Sequence, residues 1–186
     1  MASWHAVQSP AAPREASRVP DLLPLGFGWV FCEDDQLLRL LLDSNVLLLL
    51  LVGRLDVSRI GSRKLSDFDM TDFQLALFHA HGIPRHISTP HILTEVSNHL
   101  GDSRQYLVSG GLEALRTYAY SVEEIVSDSR SLTQTSDFLA LGLTDAAIMQ
   151  LADSTTRVIT VDHHLCGRLS AKGVEVINLR HFRTPT

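Results

Sequence analysis

The stretch from Leu37 to Gly53, LLRLLLDSNVLLLLLVG, limits the folds open to this chain more than any other. Leu40, Leu41 and Leu42 form a short apolar run that stops at Asp43, and a second run, Val46 to Val52, begins just after Asn45. Runs this short cannot be assigned by periodicity, so the Asp-Ser-Asn break between them decides. It predicts a buried strand that ends in an acid, then a helix leaving the sheet and stopping at Gly53. In open α/β sheets, ligands bind beyond the carboxyl ends of the strands. Asp43 is therefore a site candidate from the outset.

A length of 186 residues suits one domain with an appendage, and a 45% hydrophobic content allows a full core. Residues 1–36 read as an N-terminal extension. Ala, Pro and Ser dominate it as far as Pro20, and Trp29, Val30 and Phe31 could dock on the domain or on a partner. Residues 37–186 read as the domain itself. The formal charge of −5 argues against broad, charge-driven binding to nucleic acid, but it leaves room for a local basic rim. Cys32 and Cys166 are too few for a disulfide framework, and no CxxC occurs. No stretch reaches the roughly 18 apolar residues of a membrane span, and the N-terminus lacks a secretory pattern. These features predict a cytoplasmic protein with no membrane partner.

Along the chain, Ser66-Asp67 offers a cap for a helix carrying Phe68, Phe73, Leu77 and Phe78. His86 to Ser88 reads as a second strand. Thr89-Pro90 is a cap with proline at the first helical position, opening PHILTEVSNHL. Its apolar stripe is Ile92, Leu93, Val96 and Leu100, while His91, Glu95 and His99 form a second stripe. Further helices are expected near Tyr106 to Tyr118 and over Ser129 to Leu141. Thr144 reads as the cap of the next helix, with Asp145 in its first turn. Arg157 to Asp162 is a β-branched strand that also ends in an acid. A helix from His164 to Ala171 and a strand from Val174 to Leu179 follow. Alternating strands and helices imply an α/β fold, a three-layer α/β/α arrangement around a central, mainly parallel sheet of about five strands.

Asp43 and Asp162 end buried strands, Asp145 opens the helix before the second of them, and Glu95 lies in the helix after the short strand. Carboxylates crowded together repel and are costly to desolvate unless something positive sits among them. No lysine or arginine adjoins any of the four in sequence. A divalent cation is the simplest neutralisation, and all-oxygen ligands favour Mg²⁺ or Mn²⁺. Such ions activate water and stabilise the charge that develops in phosphodiester cleavage.

LLLDSNVLL around Asp43, TPHILTEVSN around Glu95, GLTDAAI around Asp145 and VITVDHHL around Asp162 together resemble a PIN domain, a family of metal-dependent nucleases that includes toxin ribonucleases of toxin–antitoxin pairs. The resemblance covers about residues 38–180. It implies that Asp43, Glu95, Asp145 and Asp162 are the catalytic, metal-binding acids, with Asn45 and Thr160 supporting the pocket by hydrogen bonding. It also implies an endoribonuclease acting on RNA, often as a homodimer, with a protein inhibitor or antitoxin as a further partner. The basic cluster between Gly53 and Ser66 supplies Arg59, Arg63 and Lys64 as candidate phosphate contacts.

Competing readings are weaker. Asp162-His163-His164 matches a DHH motif, but the further acid motifs and second domain of that phosphoesterase family are missing. A dehalogenase-type Asp-x-Asp is excluded because Asn45 stands two residues after Asp43. Each acid alone could be a turn former or a helix-start residue. A PIN-like fold serving as a binding or scaffold module is the alternative function. His91 and His99 could contact substrate, and Cys166 reads as a packed helix residue.

Overall fold

The computed structural model describes residues 38–101 and 107–183. The docking role expected of Trp29, Val30 and Phe31, and the extension over residues 1–36, lie outside these residues.

The run of leucines divides where the sequence predicts. Arg39–Leu42 forms strand β1, and Ser44–Leu55 forms helix α1, which runs past Gly53 because nothing there unseats the hydrogen-bond ladder. Helix α2 (Met70–Ala80), strand β2 (Arg85–Ser88), and helices α3 (Pro90–Leu100) and α4 (Gly111–Ser121) follow. Strand β3 is a short Glu123–Glu124. Helices α5 (Ser129–Leu132), α6 (Ser136–Leu141) and α7 (Leu143–Leu151) lead to strand β4 (Thr156–Thr160). Helix α8 (His163–Ala171), strand β5 (Glu175–Asn178) and a 3-10 turn at Leu179–Phe182 complete the order.

All five strands pair in parallel in the order β3-β2-β1-β4-β5. The walk from β1 to β3 goes one way across the sheet, and the return through β4 to β5 goes the other. With right-handed crossovers, α1 to α4 cover one face and α5 to α8 the opposite one. Packing agrees, with α1 against α2, α3 and α4, and α7 against α5, α6 and α8. This is a three-layer α/β/α fold.

Helix α1 is the centre of its layer and is buried continuously from Val46 to Gly53. A helix apolar all round belongs in the interior, and each fully buried leucine contributes about 1.5–3 kcal/mol. Gly53 permits the close approach of α2: a Cβ there would stand 2.5 Å from the Phe73 ring.

Three local expectations need correction. Helix α2 starts at an Asp69 cap, where Asp69 and Asp72 exchange side-chain-to-backbone bonds (2.9 and 3.0 Å), so Ser66-Asp67 precedes the helix and Phe78 stands 73% exposed. Ser129 to Leu141 is two helices, because the Thr135 hydroxyl donates to the Leu132 carbonyl (2.8 Å) and accepts the Phe138 N–H (3.1 Å). Threonine offers the backbone such alternatives to a continuous ladder. Helix α7 is capped by Gly142 rather than Thr144. Gly142 adopts φ 93° and its carbonyl accepts the Ala146 N–H at 3.1 Å, starting the helix earlier.

Replacing Gly53 by alanine tests the α1–α2 contact. Helix propensity alone favours alanine by about 1 kcal/mol. Overpacking against Phe73 reverses the sign, and urea denaturation is expected to show a net loss of about 1–3 kcal/mol.

Candidate metal centre

The strand order reverses between β1 and β4, where β1 leads towards β2 and β4 towards β5. Such switch points open a crevice at the carboxyl edge. Asp43 follows β1 directly, and its N–H donates to the Ile159 carbonyl of β4 at 3.0 Å. Asp162 follows β4 and caps α8, one carboxylate oxygen accepting the Leu165 N–H at 2.8 Å. Glu95 lies in the second turn of α3, and Asp145 in the first turn of α7. These two helices belong to opposite layers yet pack against each other, so both layers contribute acids to one edge.

Two hydroxyls fix carboxylates in place. Thr160 Oγ1 donates to Asp43 Oδ2 at 2.8 Å and accepts the Asp162 N–H at 3.0 Å, linking the two strand-end acids through one fully buried side chain. Ser44 Oγ, also buried, donates to Glu95 Oε2 at 3.0 Å. Sequence reasoning singled out Thr160 and Asn45, but Asn45 is exposed and the contact to an acid comes from its neighbour Ser44. The available signal was position, since Ser44 is the one residue between Asp43 and Asn45.

Burial and neighbouring carboxylates raise the pKa of two of the four acids. Burial is the main reason that Asp43, only 4% exposed, has its pKa pushed up to about 6. The charges of Glu95 and Asp162 push the same way, while the Thr160 hydroxyl and the Ser44 N–H oppose them. Asp145 rises to about 7, chiefly by burial, then through the charges of Asp43, Asp162 and Glu95. Among the described residues, however, no three His, Cys, Asp or Glu side chains are already drawn together as metal ligands. The acids sit within electrostatic range of one another but outside a shared coordination shell. Their all-oxygen donor set fits a hard divalent cation.

The remaining candidates lie elsewhere. Helix α1 carries the chain about 18 Å from Asp43 at 1.5 Å per residue. Arg59 is tied to Asp56, the residue that caps that far end, through a 3.2 Å ion pair. Arg63 and Lys64 are exposed in the 3-10 turn that follows. His91 meets Ser129 of α5 at 3.3 Å, and His99 is half-buried near the end of α3. Cys166 is buried in α8. No helix among the described residues is long and apolar enough to cross a membrane. Comparison with family models and with curated proteins finds no match.

The raised acids make stability depend on pH with a definite sign. Where the folded pKa exceeds the unfolded value, the native state binds more protons and loses stability as pH rises through that window. For Asp43 the window runs from 3.8 to about 6, and for Asp145 from 3.8 to about 7. In chelator, Asp43→Asn and Asp145→Asn should therefore gain stability relative to wild type as pH rises from 4 to 7, and level off above. Urea denaturation across that range measures the difference.

Proposed function

We propose that this chain is a divalent-metal-dependent endoribonuclease of the PIN type, in which Asp43, Glu95, Asp145 and Asp162 hold Mg²⁺ or Mn²⁺. The observation that carries the reading is the raised pKa of Asp43 and Asp145 at the sheet's switch point, to which burial and the neighbouring acids contribute. The bound cation would supply Lewis acidity and lower the pKa of the attacking water. Thr160 orients Asp43, and Ser44 orients Glu95. One of the four carboxylates would also orient that water or take its proton. A toxin role would bring a small protein inhibitor, and a homodimer would accord with the same family. The low cysteine content suits a reducing, cytoplasmic setting.

The absence of an already closed ligand cage among the described residues favours one alternative, a PIN-like binding or scaffold module without catalysis. The two readings part on activity. The enzyme should cleave single-stranded or structured RNA in Mg²⁺ or Mn²⁺ and stop in chelator. Asp43→Asn should lower the rate by about 100-fold or more, since loss of even an outer-shell partner of a metal site costs about 10–100-fold. Cleavage that survives both chelator and the substitution overturns the proposal.

A further inference from the structure

We propose that His163 and His181 form a phosphate-binding subsite beside the carboxylates, taking a backbone phosphate of the strand next to the one cleaved. The identity of the strand rests on the ribonuclease reading; the subsite rests on its own geometry. His163 is the first residue of α8 and follows Asp162 directly, and His181 lies in the turn that leaves β5. Their ring centroids stand 5.5 Å apart with the planes inclined by 30°. Both side chains are exposed.

The backbone holds the pair in place. The Asn178 side chain, only 2% exposed, donates from Nδ2 to the Asp162 carbonyl at 3.2 Å and accepts the Arg180 N–H on Oδ1 at 2.9 Å. One buried amide thus ties the residue before His163 to the residue before His181. A neutral imidazole carries one N–H donor, so two rings at this spacing can converge on the oxygens of a single phosphate.

Charge explains why imidazoles would serve here. A strand that approaches four acids needs donors at the carboxyl edge, and the nearby guanidinium groups are engaged. Arg183 bonds the fully buried Asp72, and Arg180 bonds the Asp67 carbonyl while lying 5.0 Å from the Phe68 ring centroid. Arg59 stays at the far end of α1. The His163–His181 pair adjoins Asp162 without pairing to any acid by a salt bridge among the described residues.

The test titrates the full chain in Ca²⁺ with two probes, a short single-stranded oligoribonucleotide and inorganic phosphate, while imidazole proton–nitrogen NMR signals and oligonucleotide affinity are followed. The oligonucleotide should shift the signals of both rings. His163→Gln and His181→Gln should each weaken its binding by about 3–10-fold, the worth of one hydrogen bond, with Tm unchanged. His164→Gln, on the neighbouring exposed residue, should leave affinity as it is. Unmoved resonances together with unchanged affinity overturn the subsite. Shifts with inorganic phosphate but none with the oligonucleotide overturn its assignment to the strand. A chain that binds the oligonucleotide through this pair but never cleaves RNA contradicts the ribonuclease reading and leaves the subsite standing.

Discussion

The burial of Asp43 is the constraint on which the carboxyl edge depends. A carboxylate with almost no solvent contact resists ionisation, and here Glu95 and Asp162 add their own repulsion. The Thr160 hydroxyl and the Ser44 N–H relieve that cost only in part. A chain that needed merely to end a strand could place asparagine or serine there, with no charge to desolvate. The proposed cation would offset that cost, which links the electrostatics to the proposed chemistry.

The architecture creates the condition. Helix α1 is buried all round, so its amino end cannot swing towards water, and Asp43 and Ser44 are held against the sheet. Strand β4 lies beside β1 in register, Leu42 opposite Ile159, which brings Thr160 within reach of Asp43. The contact of α3 with α7 across the edge then supplies Glu95 and Asp145 from separate layers. Rigid elements from both faces thus fix the acids, while the imidazole pair sits at the rim where β4 and β5 end.

Legibility followed the number of independent signals at each point. Thr89-Pro90 combines a capping hydroxyl with a proline at the first helical position, and α3 begins and ends where the sequence implies. Asp43 and Asp162 are readable because each stands just past a buried strand. Glycine at a positive φ can cap a helix without a side-chain oxygen, so Gly142 was hidden behind the more obvious Thr144. The Ser44–Glu95 bond spans 51 positions and the His163–His181 pair depends on the path of β5, so neither leaves a local trace. The loop bearing Arg59, Arg63 and Lys64 looks like a substrate rim in sequence, but Arg59 is tied to Asp56 at the far end of α1.

The central claim is that Asp43, Glu95, Asp145 and Asp162 form one cation site. Anomalous diffraction from crystals soaked in Mn²⁺ tests it most directly. A peak is expected at the switch point, with oxygens of at least three of these carboxylates at about 2.0–2.3 Å, typical of hard cations and carboxylates. A saturating soak with no peak there, or with Mn²⁺ bound elsewhere while the four acids stay apart, would contradict it.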